Sequence, residues 1–145
     1  MSYERPTIKI SADKPPVYDR LKEVFGVEWD EGLVVTYGDT IHVKGGIGLT
    51  KDLLAHEATH VGQQTLYPGG VEAWWDRYLA DKEFRLSQEQ EAYGVQLVVI
   101  RDEVSNKRKQ LARIATIVHS LYTSYGDMMT KDEANDWVAS VLNEK

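Results

Sequence analysis

The chain has 145 residues, no cysteine and a formal net charge of -6, with 42% apolar and 28% charged residues. That length suits one domain around one core. The acidic balance excludes a sequence-independent nucleic-acid binder, which needs a cationic face. The missing cysteines exclude disulfides and thiolate nucleophiles, so any tightly held zinc must rest on His and carboxylate ligands.

The N-terminus, MSYERPTIKI, has no basic stretch followed by an apolar one, so no signal peptide is expected. The densest apolar run, Val95 to Ile100, is too short to span a membrane. A cytoplasmic protein is the default expectation, with a virion component as the other location considered. The basic run Lys107-Arg108-Lys109 is expected to be solvated.

In chain order, Pro15 or Pro16 can open a short helix that runs through Phe25 and stops at Gly26. The β-branched runs Leu33 to Tyr37 and Thr40 to Val43 flank Gly38-Asp39, which predicts a β-hairpin with His42 facing solvent. Gly45-Gly46-Ile47-Gly48 frees the backbone before a helix that begins at Thr50, a candidate N-cap, and ends near Leu66. Asp52 in its first turn should face the positive helix end. Val71, Trp74, Trp75, Tyr78 and Leu79 share one helical face, read as core or cleft wall. Ser87 with Gln90, and Thr130 with Glu133, have the spacing of capping boxes that open two more helices.

Between Ser87 and Tyr122, Leu97, Val104, Leu111 and Val118 keep a seven-residue spacing. One helix of that span would be about 54 Å long, too long for so small a domain. Two helices with a break between Ser105 and Gln110 are expected instead.

The chemistry is concentrated in His56-Glu57-Ala58-Thr59-His60. On a helix, positions i and i+4 share a face, so His56 and His60 can hold one tetrahedral ion. Glu57 sits at the rim of that face, where it reaches the attacking water rather than the ion and can serve as general base. A hydrolytic site needs a third protein ligand. The extended motif would place a Gly and a His further along the same helix, but Gln63 and Leu66 stand there. The third ligand is therefore expected to be a carboxylate from another helix.

HEATHVGQQ followed downstream by Glu91-Ala92-Tyr93 resembles the gluzincin branch of the zincin-like metallopeptidases, and the stretch from Leu53 to Gln96 looks like short HExxH proteins of bacteria and phages. The resemblance covers about a third of the chain. It implies one zinc at His56, His60 and Glu91, with Glu57 as base, and a hairpin strand bordering the cleft. The chain departs from the thermolysin-like pattern at Val95, where that pattern has an Asp that orients a ligand.

Glu91 is preferred to Glu89 on helix geometry, since the two face nearly opposite ways. Glu91 shares its side with Gly94, where a helix backbone can come close to Ala55, Ala58 and Thr59. His119, Tyr122, Tyr93 and Tyr78 are candidates for stabilising an oxyanion. Arg77 and Arg85 are expected to pair with acids.

The expectation is one α+β, zincin-like domain over 1–145, mostly helical with a small hairpin sheet, that hydrolyses peptide bonds with zinc. It would take a peptide or protein substrate and bind neither nucleic acid nor membrane. Two alternatives are a zincin-fold protein that binds zinc without turnover and a zinc hydrolase of non-peptide amides.

Overall fold

The element order follows from the local signals just described, seen here in a computed structural model that describes residues 7–30, 32–46 and 48–143. The start of the N-terminal stretch read for a signal peptide, and Ile47 of the glycine-rich turn, lie outside the described residues. The fold is α+β, predominantly helical, with one three-stranded sheet. Among the described residues no helix is long and apolar enough to cross a membrane.

Strand β1 (Lys9–Ser11) was not anticipated; three residues are too few to show alternation. Helix α1 (Tyr18–Phe25) ends at Gly26, which takes a left-handed φ of 69° and donates its N–H to the Lys22 carbonyl at 2.8 Å. Strands β2 (Val34–Tyr37) and β3 (Thr40–Val43) form the expected antiparallel hairpin, turning at Gly38 with φ 62°. β1 pairs in parallel with β3, giving the order β1-β3-β2 and leaving β2 at an edge. His42 does not face solvent. It is buried, and its Nδ1 lies 2.9 Å from the carbonyl of Asp13, in the segment that follows the unforeseen β1, whose Ser11 pairs with His42.

Helix α2 (Lys51–Leu66) starts after Thr50, whose extended backbone lets its carbonyl accept from Leu54 N–H, although its side chain makes no cap bond. Asp52 turns inward rather than toward the helix end. Fully buried Gln64 staples α2 to the hairpin: its Nε2 donates to the Thr36 carbonyl at 2.8 Å, and its Oε1 accepts from Gly38 N–H at 2.6 Å.

Helix α3 (Gly70–Ala80) buries Trp74, Trp75 and Tyr78 against Val17, Tyr18, Leu21 and Val35. One residue later α4 (Lys82–Glu103) begins, with the Asp81 side chain accepting from Phe84 N–H at 3.1 Å. The expected capping box at Ser87 is not a helix start; Asp81 already caps the helix, and Ser87 Oγ donates back to the Phe84 carbonyl inside it. Helix α5 (Lys107–Thr123) follows a break at Val104 to Asn106, so there are two helices as expected, but the break is shorter than the Ser105 to Gln110 stretch because Asn106 caps α5 by accepting from Lys109 N–H. Helix α6 (Lys131–Leu142) carries the predicted Thr130–Glu133 capping box in full. Leu97, Ile100, Ile117, Leu121, Ala134 and Val138 join α4, α5 and α6 in a second apolar cluster.

Helices α2 and α4 run antiparallel, and their inward residues meet in pairs that count down one helix and up the other. Gln63 bonds to the Gln88 carbonyl, His60 meets Glu89, His56 packs on Tyr93, and Asp52 bonds to Gln96. On α4 this stripe recurs every three to four residues, the helical repeat. Apolar burial below it sets the rotation of α4, since Ala92, Leu97 and Ile100 lie on the same inward side and are fully buried.

Candidate metal centre

The α2/α4 stripe brings His56, His60 and Glu89 to one point. His60 Nε2 lies 2.8 Å from Glu89 Oε1 and 3.2 Å from His56 Nε2, and His56 Nε2 lies 3.3 Å from Glu89 Oε1. The ligand atoms of His56, Glu57 and His60 lie within 4.8 Å of one another. All four side chains are buried; Glu89 is 3% exposed and Glu57 4%.

Glu91, the carboxylate expected from sequence, is not at this point. It is exposed, and it accepts a hydrogen bond from Gln63 Nε2 at 3.3 Å. The physical reason is the rotation of α4. A Cβ added at Gly94 would meet nothing within 4 Å, so Gly94 faces open space and does not mark the approach to α2. The signal that would have found Glu89 is its place on the stripe with Ala92, Tyr93, Gln96 and Ile100.

The hydrogen bonds around the point define its electronic character. Gln63 Nε2 donates to the Gln88 carbonyl at 3.0 Å, which turns Gln63 Oε1 toward His60 Nδ1 at 2.8 Å. An amide oxygen only accepts, so His60 Nδ1 must carry the proton. The neutral ring then presents a lone pair at Nε2, facing the acceptor Glu89 Oε1 and lying beside His56 Nε2. The His60 lone pair and the Glu89 carboxylate oxygen, 2.8 Å apart, are brought together favourably by a shared proton or a metal ion.

Without a metal, burial alone would lower the His60 pKa, but the facing Glu89 carboxylate outweighs it and raises it to about 9. Burial would likewise raise Glu89; the two imidazoles override it and hold the carboxyl well below its usual range. Tyr78 Oη donates to Glu89 Oε2 at 2.7 Å, leaving Oε1 to face the histidines. Burial raises the Glu57 pKa, only partly offset by His56 and His60, and its Oε1 accepts from Thr36 Oγ1 at 3.4 Å.

The donor set fits a zinc ion. With bonds of roughly 2.0–2.1 Å at tetrahedral angles, neighbouring donors stand about 3.3 Å apart. Two edges of the observed triangle match, and the third, at 2.8 Å, is the hydrogen-bonded His60–Glu89 edge. His56 Nδ1 is buried without a hydrogen-bond partner among the described residues.

These residues line a cavity of about 750 Å³, together with Val34, Val35 and Thr36 of β2, Tyr78, Tyr93 and Tyr125. Of the oxyanion candidates, Tyr78 and Tyr93 are in the wall. His119 is exposed, and it bonds to Thr123 and packs on Tyr122. Tyr125 was not foreseen. It has a left-handed φ of 52°, with its carbonyl accepting from Arg85 Nε at 2.9 Å. Arg85 thus serves backbone carbonyls, those of Tyr78 and Tyr125, rather than an acid, whereas Arg77 does pair with Asp81.

Comparison with known protein families, with characterised proteins and with solved structures finds no match to this chain.

Proposed function

We propose that the chain is a zinc-dependent hydrolase of peptide bonds, a metallopeptidase in which His56, His60 and Glu89 hold the ion and Glu57 is the general base. One observation carries this reading: three lone-pair donors meet beside a second buried carboxylate in a cavity wall. Two imidazoles and a carboxylate form a ligand set used by hydrolytic zinc sites, which keep one further position open. Bound zinc would supply Lewis acidity toward a carbonyl and toward water.

The protein's own part follows from the surroundings of each group. Tyr78 fixes the Glu89 carboxylate, and Gln63 fixes the His60 tautomer. Glu57, next to His56 in sequence, lies beside the metal-binding face instead of completing it. Buried in the cavity wall and bonded to Thr36 Oγ1, its carboxylate is suited to take a proton from water and return it to the leaving amine. Tyr93, packed edge-on to the His56 ring at 4.4 Å between centroids, and Tyr125 are the hydroxyls available in the wall for a developing oxyanion. A zincin-like fold, of the gluzincin type, is supported by the active helix lying beside an edge strand, with the carboxylate ligand supplied by a second helix.

The test combines metal analysis with cleavage of a proteome-derived peptide library by the wild-type protein and by Glu57→Gln. One zinc per chain is expected, with cleavage products formed by the wild type and absent from the variant. Stoichiometric zinc with no cleavage by either protein would replace the hydrolase with a zinc-binding protein lacking turnover. A chain that takes up no zinc would overturn the site itself.

A further inference from the structure

The α2/α4 stripe does not stop at the proposed metal centre. One turn before His56, Asp52 is 4% exposed, and both of its carboxylate oxygens are taken. Oδ1 accepts from Arg113 Nη1 of α5, and Oδ2 accepts from Gln96 Nε2 at 2.9 Å. A carboxylate only accepts, so Gln96 must present its NH₂ here, and its oxygen points away. That oxygen, Oε1, is buried and has no hydrogen-bond partner among the described residues. Arg113 keeps further N–H donors beyond the one bound to Asp52, and its side chain is 36% exposed. Asp52, Gln96 and Arg113 line the same cavity as His56, Glu57 and His60.

We infer that Asp52, Gln96 and Arg113 form a subsite that holds the main chain of a polypeptide substrate, with Arg113 as its substrate-facing, specificity-determining residue. This rests on the hydrolase reading above and names its substrate class. The chemistry selects an amide. Asp52 neutralises Arg113, so the pair has little net charge to attract an anion, and a substrate carboxylate would face Asp52 and the unpaired Gln96 oxygen. An extended chain instead offers a carbonyl to the remaining Arg113 donors and, from a separate peptide group, an N–H to the unpaired acceptor, since the C=O and N–H of one trans peptide point opposite ways.

The spacing fits as well. Four helical residues separate Asp52 from His56, about 6 Å along the axis. Extended chain spans roughly 3.3–3.6 Å per residue, so this subsite would meet the peptide group about two residues from the scissile bond. A small amide that reaches only the catalytic groups would not touch it. The substrate class is therefore a chain with residues extending beyond the cleaved bond.

The test is peptide binding, read without turnover. Zinc-loaded Glu57→Gln protein, with and without Arg113→Ala, is titrated into a fluorescein-labelled random decapeptide pool and followed by anisotropy. Loss of Arg113 should raise Kd about tenfold, the size of one lost charge-assisted hydrogen bond. Circular dichroism checks the fold. If Arg113→Ala is unfolded, Arg113→Lys takes its place; it keeps the charge opposite Asp52 but loses the planar fork of donors, and should also weaken binding.

Equal affinity with and without the Arg113 change, in a folded variant, would overturn the subsite while leaving the hydrolase reading intact. Absence of peptide binding to either protein would overturn it too. Arg113-dependent binding by a wild-type protein that cleaves nothing would support the subsite and remove the hydrolase.

Discussion

Replacing Glu89 by Gln removes one anionic donor from the proposed centre with little change of volume. Glu89 Oε1 is within 3.3 Å of both imidazole nitrogens, whereas Glu91 is exposed and bonded only to Gln63 among the described contacts. Structural zinc sites with four ligands bind with about 10–16 kcal/mol, so one ligand accounts for roughly 2.5–4 kcal/mol. Glu89→Gln should therefore weaken zinc about 10²–10³-fold. Glu91→Ala should change affinity less than about threefold, as expected for an exposed carboxylate that touches no ligand. Competition against a chromophoric chelator at fixed pH and salt measures both. Circular dichroism of the metal-free proteins separates ligand loss from unfolding, since Glu89 also pairs with His60 when no metal is bound. Wild-type affinity in a folded Glu89→Gln protein, or a large loss in Glu91→Ala, would refute the α2/α4 geometry as the source of the third ligand.

Glu57→Gln should retain zinc and fold while losing about 10²–10⁴-fold in kcat, the usual contribution of a positioned base; steady-state kinetics on a cleaved library peptide measures it. Tyr78→Phe removes the hydroxyl that orients Glu89 and should lower zinc affinity about 10–100-fold in the same chelator assay. Thr130→Ala breaks the reciprocal bonds that start α6 and should cost about 1 kcal/mol in urea denaturation, with no change in zinc affinity.

The parts of this molecule legible in the sequence are those specified by neighbours along the chain. Two histidines four apart need only a helix to converge, and Gly38-Asp39 between β-branched runs is enough to turn a hairpin. Thr130 and Glu133 cap each other within one turn. The break after Glu103 followed from the domain being too small for one long rod. What could not be read locally was the rotation of α4. Glu89 shares a helical stripe with Ala92, Tyr93, Gln96 and Ile100, but which stripe of α4 turns inward is decided by where Leu97 and Ile100 are buried, a tertiary matter. Gly94 misled because a small residue can mark either a close helix approach or an open face, and here it marks the latter. His42 likewise reads as exposed because nothing local announces that the segment after the three-residue strand β1 lays the Asp13 carbonyl against its ring.

The Gln64 staple has a consequence for the sheet as a template. β2 is an edge strand, and exposed edges offer unpaired main-chain groups to any passing extended chain. Gln64 gives those groups a side-chain partner at one end of β2, occupying the Thr36 carbonyl and the Gly38 N–H with the two ends of one amide. A fourth strand added along the whole of β2 would have to displace a fully buried glutamine from the last turn of α2. The sheet is thus blocked from growing past its third strand at that end, and self-association through β2 is suppressed by the helix that carries the histidines.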